Sequence, residues 1–195
     1  MNRNASLTIL VLLFLAVRID ASPAQSASHF SLTTGYGESV LDGRRGDARM
    51  SMLHLEWARA RNDHSELAIV LIPSVIEQPQ QAFGSRFTEP EQTVRSLGAA
   101  LLYRHLFRDA SAKIRPFIEA SSGPMWSEER VPAATSHFNF LSTAGAGVII
   151  RPWGENLPLV IGYRFGHISN AGIEDRNPGW NLSTIILGFH LQPQR

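Results

Sequence analysis

The chain has 195 residues, 44 % of them hydrophobic, no cysteine and a formal net charge of +1. That length suits one domain, and ordinary apolar content with low charge excludes a disordered chain. The lack of cysteine excludes disulfide scaffolds, thiolate zinc sites and cysteine nucleophiles, and the lack of a basic run argues against nucleic acid as a partner.

Arg3 precedes an apolar stretch from Leu7 to Val17. A spanning helix needs ~20 apolar residues, so this stretch is too short. A positive start, a short apolar core and small residues after it are the marks of a secretory signal. The expectation is a signal peptide over residues 1–27, cut between Ala21 and Ala27, and a mature domain over 28–195. The chain has no longer apolar run, which excludes a polytopic helical membrane protein. Lys113 is the only lysine and the other basic residues are arginine. Arginine suits bidentate pairing with carboxylates or phosphates.

The mature part alternates with period two, the pattern of strands with two different faces. His29–Tyr36 is the first such segment. In Ser51–Arg59, Leu53, Leu55 and Trp57 oppose Met52, His54, Glu56 and Ala58. Ser65–Val75 follows. In Arg95–Phe107, Leu97, Ala99, Leu101, Tyr103 and Phe107 oppose Ser96, Gly98, Ala100 and Arg104, although Leu97, Leu101 and His105 would also suit a helix. Lys113–Ser122 is next. In Phe138–Arg151, Phe138, Phe140, Val148 and Ile150 oppose Asn139, Thr143, Gly145, Gly147 and Arg151. In Leu159–Ser169, Leu159, Ile161, Tyr163 and Phe165 oppose Val160, Gly162, Arg164 and Gly166. The last segment sets Ile185, Leu187, Phe189 and Leu191 against Thr184, Ile186, Gly188 and His190. Turn formers separate these segments, among them Asp42-Gly43, Asn62-Asp63, Ser122-Gly123-Pro124 and Arg151-Pro152-Trp153-Gly154.

Eight strands fit two architectures. One is a soluble sandwich or lipocalin-like barrel with its apolar face inward. The other is an eight-stranded antiparallel transmembrane β-barrel with its apolar face toward lipid. The small and polar second faces favour the membrane barrel, because eight strands leave an interior with room for side chains only. That reading puts Glu56, Arg104, Arg115, Glu119 and Arg164 inside, able to pair. It puts Trp57, Tyr103, Phe107, Phe165 and Phe189 near the strand ends, as interfacial girdles are.

The chemistry concentrates after Tyr163, where the sequence reads YRFGHISNAGIEDRNPGWN. His167 and Ser169 are two residues apart, so on a strand they share a face with Cα atoms ~6.5 Å apart. A histidine can then take a serine proton as the hydroxyl attacks a carbonyl. A bare His-x-Ser pair is common. Parity singles this one out, because both residues continue the apolar series Leu159, Ile161, Tyr163, Phe165. Polar groups toward lipid are costly without a use, and chemistry on a lipid beside the barrel is such a use. Asn170-Ala171-Gly172 and Asn177-Pro178-Gly179 are turn formers whose amides and asparagine side chains can donate to an oxyanion. Asn181 shares parity with Ile185 and Leu187 on the returning strand. It therefore falls where a group that fixes the histidine tautomer is needed.

The stretch His167-Ile168-Ser169-Asn170-Ala171-Gly172, followed by Asn177-Pro178-Gly179, resembles the signature of PagL-type lipid A 3-O-deacylases. The resemblance is sharp over residues 159–191. It implies an outer-membrane barrel of a Gram-negative bacterium, exported by its signal peptide, that acts on lipid A or lipopolysaccharide in the outer leaflet by acyl-ester hydrolysis. It implies Ser169 as nucleophile and His167 as general base. It implies an oxyanion hole from Asn177, with Asn170 or the Gly172 amide. The family's third triad member is a glutamate twelve residues after the serine, and Asn181 stands there in this chain. Glu174 or Asp175 could substitute, or the barrel could be a catalytically lapsed structural or lipid-binding relative. Phe165 and Ile168 are expected beside the acyl chain. No cofactor and no metal are expected, since the other histidines lack ligand spacing and Ala144-Gly145-Ala146-Gly147 is no dinucleotide loop.

Overall fold

The structure, a computed structural model, describes residues 28–40, 47–80, 91–152 and 157–191. The signal peptide and the turns expected at Asp42-Gly43 and Trp153-Gly154 lie outside the described residues. Eight strands follow one another: β1 (Ser28–Ser39), β2 (Arg49–Asn62), β3 (Ser65–Pro79), β4 (Glu91–Leu106), β5 (Ile114–Ser127), β6 (Phe138–Ile150), β7 (Leu159–Ser169) and β8 (Trp180–Leu191). Each pairs antiparallel with the next, and β1 pairs with β8, so the sheet closes. Closure leaves no unpaired edge, which a strand in hydrocarbon cannot tolerate.

Alternation decides which way each residue faces. Leu53, Leu55 and Trp57 of β2, Leu67, Ile69 and Leu71 of β3, and Leu97, Leu101 and Tyr103 of β4 are exposed outside. Between them, Ala58, Val70, Ile72 and Leu102 are buried inside. The apolar face is therefore the outer one, as a lipid-facing barrel requires. The same alternation settles Gln92–Leu106 as strand. Its leucines at helical spacing belong to a segment that pairs with β3 over its whole length. Exposed aromatics lie toward both rims, with Phe30, Trp57, Tyr103 and Phe107 at one end and Tyr36, Trp126 and Phe138 at the other.

The interior holds a charged network between two apolar clusters. Arg104 meets Glu56 at 3.1 Å, Glu119 at 2.8 Å and Glu66 at 3.4 Å. Arg164 meets Glu119 at 2.6 Å and Glu56 at 3.4 Å. Four of the five interior charges expected from parity thus pair with one another. Arg115 does not join them. It is buried, but it donates to the carbonyl oxygens of Arg108 and Asp63 and so ties two connections together. Leu106, Phe117, Ile149 and Val160 pack below the network, and Met50, Ile76, Met125, Leu141, Ile168, Trp180 and Leu182 above it. The second cluster fills the barrel beneath the β7–β8 connection and supports the site from within.

Candidate active site on the outer face of β7 and β8

The β7–β8 ladder sets His167 directly opposite Asn181 and Ile168 opposite Trp180. Ile168 and Trp180 point inward and are buried. His167 and Asn181 point outward, and His167 Nδ1 lies 2.8 Å from Asn181 Oδ1. A carbonyl oxygen has no hydrogen to give. In this arrangement Nδ1 carries the proton, and Nε2 presents its lone pair.

Gly179 governs where that lone pair goes. It immediately precedes β8, next to the last ladder pair, Ile168 with Trp180. A Cβ on it would lie 2.9 Å from His167 Cε1 and 3.2 Å from Nε2, and its φ is +60°. The imidazole therefore lies over a glycine that has neither the side chain nor the backbone preference of other residues. This places the Nε2 edge toward the Ser169 end of the strand. Ser169 is half-exposed, and Phe140 of β6 is its ladder partner.

The connection is a built structure. Ile173 N–H donates to Asn170 O at 3.0 Å, with φ of 54° at Ala171 and 78° at Gly172. This is a turn with positive φ at both central residues. Asn170 is buried and spends its side chain inside the connection: Nδ2 donates to Arg176 O at 2.7 Å, and Oδ1 accepts from Gly172 N–H at 2.9 Å. Asn170 N–H donates to Asn177 Oδ1 at 3.0 Å. The oxyanion donors expected of Asn170 and of the Gly172 amide are thus engaged within the loop. Asn177 is exposed, and with its Oδ1 held its Nδ2 hydrogens remain to be directed.

Glu174 accepts from Ser136 Oγ at 3.0 Å. With exposed Asp175, it lines a cavity of about 470 Å³ between the β5–β6 and β7–β8 connections, together with Arg130 and Arg176. The structure brings His167 together with Asn181, not with either acid. Ile168 faces the barrel interior, so it is not beside an outer acyl chain, whereas Phe165 is exposed outside. The expectation for Ile168 overlooked that it has the opposite parity to His167. Gly179, the last residue of the Asn177-Pro178-Gly179 turn, is a further residue of the site. Its closeness to the imidazole follows from the folded backbone, not from residue spacing. Among the described residues no cluster of three or more His, Asp or Glu side chains is arranged to hold a metal ion.

A closed eight-stranded barrel with an apolar exterior and two aromatic rims defines the class of outer-membrane β-barrel proteins, here with a polar His–Asn pair on the membrane-facing surface. The family model for lipid A 3-O-deacylase (PagL) matches residues 52–190, and the chain belongs to that family. Among solved structures, the crystal structure of the outer membrane enzyme PagL superposes with a TM-score of 0.58 at 18 % identity, covering 84 % of this chain and 99 % of that one. That likeness establishes the fold. Neisserial surface protein A (TM-score 0.48, 13 % identity, 86 % of this chain and 95 % of that one) and outer membrane protein AlkL (0.40, 14 %, 90 % and 98 %) are also similar. No curated protein sequence matches.

Proposed function

We propose that this protein removes the 3-position ester-linked acyl chain of lipid A by a serine–histidine mechanism on the outer surface of its barrel. The observation that carries the proposal is the 2.8 Å contact of His167 Nδ1 with Asn181 Oδ1; in this reading the Nδ1 proton is held there and Nε2 is the nitrogen available to serve Ser169. Ser169 Oγ attacks the ester carbonyl carbon as its proton passes to Nε2. Asn177 Nδ2 donates to the developing oxyanion. Collapse breaks the bond to the sugar oxygen, which leaves as an alcohol after taking the proton from His167. Water, activated by the same imidazole, then hydrolyses the acyl-serine.

Position supports this substrate. The connections at the site end span 40–48, 80–90, 128–137 and 170–179, and those at the other end 63–64, 107–113 and 151–158. Long connections face outward in outer-membrane barrels and short turns face the periplasm. The site would thus stand at the outer leaflet, where lipid A arrives by lateral diffusion. Export through the signal peptide over residues 1–27 is part of the same proposal.

Labelling with an acyl-phosphonate lipid tests the nucleophile. The folded protein should gain the label on the peptide that carries Ser169, and Ser169→Ala should not. Label on another residue would reassign the nucleophile. A second reading, a lapsed lipid-binding barrel, is favoured by the neutral amide of Asn181, which cannot stabilise an imidazolium by charge. Activity that appears only in Asn181→Glu would establish that reading.

A further inference from the structure

Ser122 and Ser142 point outward from β5 and β6, and their Oγ atoms are 2.8 Å apart. The register sets Ser122 opposite Ser142, Ser142 opposite His167 and His167 opposite Asn181. The four side chains form one polar row across four adjacent strands on a largely apolar face. Leu101 bounds the row on β4, Ala120, Ala144 and Phe165 lie on the next outward row below, and Pro124 and Phe140 lie above.

β5 and β6 continue past this row to Trp126 and Phe138, whose side chains are exposed at the rim. The hydroxyl pair therefore lies beneath the aromatic belt, on the hydrocarbon side. Two hydroxyls carry two protons. One makes the bond between them, and among the described residues the other has no acceptor. An unmatched hydroxyl in hydrocarbon is costly. A ligand that accepts this proton removes the cost.

We propose that the Ser122–Ser142 pair recognises a hydroxyl group on the bound acyl chain close to its ester, which makes the site selective for hydroxylated acyl esters. The proposal rests on the reading that Ser169 attacks that ester. Neighbouring strands are ~4.8 Å apart. A chain whose carbonyl sits at Ser169 and His167 therefore brings its next few carbons alongside Ser142. Ser142 donates its spare proton to the ligand hydroxyl, and Ser122 holds Ser142 in place.

The experiment offers two matched glucosamine 3-esters, 3-hydroxytetradecanoyl and tetradecanoyl, to the refolded protein in detergent micelles. Each variant is first checked for the heat-dependent gel mobility of a folded barrel. The parent is expected to prefer the hydroxylated ester by roughly tenfold in kcat/KM, the worth of one hydrogen bond. In Ser142→Ala the ratio should fall toward one, and Ser142→Thr should restore it. Ser51→Ala, outward on distant β2, should keep the parent's ratio. No preference in the parent, or the same ratio in Ser142→Ala, would overturn the proposal. If neither ester is hydrolysed, the hydrolytic reading fails. Competition of the two esters against a fluorescent lipid then decides the recognition separately: a binding preference lost in Ser142→Ala supports it, and equal binding overturns it.

Discussion

Asn181 Oδ1 and His167 Nδ1 face each other at 2.8 Å across the β7–β8 ladder. An amide in that place does half of what a carboxylate does. It fixes the tautomer when its oxygen faces the ring, but it brings no charge to the imidazolium. It can also turn its Nδ2 to the ring and fix the opposite tautomer. Replacing the carboxylate of a serine-protease triad by an amide costs about 10⁴ in kcat, chiefly through the wrong tautomer. Asn181→Glu is therefore expected to raise kcat for lipid A by at least about tenfold, and Asn181→Leu to lower it. Steady-state release of fatty acid checks both, and an Asn181→Glu rate at or below the parent's would contradict the assigned role.

Gly179 makes room for the imidazole. A methyl group there would meet His167 Cε1 at 2.9 Å on a backbone with φ of +60°. Displacing a catalytic group by ~1 Å costs about 10² in rate. Gly179→Ala is expected to lose about that much kcat while the barrel keeps its heat-dependent mobility. Near-parent turnover would show that the ring does not work from this position.

Asn177 links the loop to the reaction. Its Oδ1 accepts from Asn170 N–H at 3.0 Å, which aims the amide. Removing one oxyanion donor costs about 10²–10³ in kcat. Asn177→Ala should fall in that range with little change in KM. A loss confined to KM would assign Asn177 to binding instead.

The interior network predicts a stability effect apart from activity. Arg104 is fully buried and meets Glu56, Glu66 and Glu119. Breaking a buried ion pair by removing one partner costs about 3–5 kcal/mol. Arg104→Met should lower the urea midpoint of unfolding in detergent accordingly. An unchanged midpoint would mean that water or protonation already relieves the three carboxylates.

The outer face predicts a contrast. Leu71 is exposed near the middle of β3. An arginine facing lipid at the bilayer midplane costs about 2–4 kcal/mol. Leu71→Arg should lose that much folding stability in lipid vesicles. No loss there would contradict a lipid-facing Leu71.

Period-two alternation made the eight strands and their outer face legible, because one lipid-facing and one interior face repeat along every strand; Ser122-Gly123-Pro124, expected as a separating turn, instead continues β5 in register with β6. β7 follows its sequence reading from Leu159 to Ser169, and apolar positions alternate with glycine or arginine from Ile161 to Gly166. The pairing of Glu56, Arg104, Glu119 and Arg164 was legible from parity alone. Arg115 was not, since its partners are backbone carbonyls at two turns. Glu66 was missed because only the register brings it beside Arg104. At the site, parity placed His167, Ser169 and Asn181 outside. The loop's internal hydrogen bonds, which engage Asn170 and the Gly172 amide, and the packing of His167 over Gly179 depend on backbone dihedrals that residue spacing does not carry.

The most direct measurement is the mass of lipid A after incubation with the refolded protein in detergent, with Ser169→Ala alongside. The account predicts loss of one ester-linked acyl group with the parent and none with the variant. Unchanged lipid A with a folded parent, or the same loss with Ser169→Ala, would contradict it.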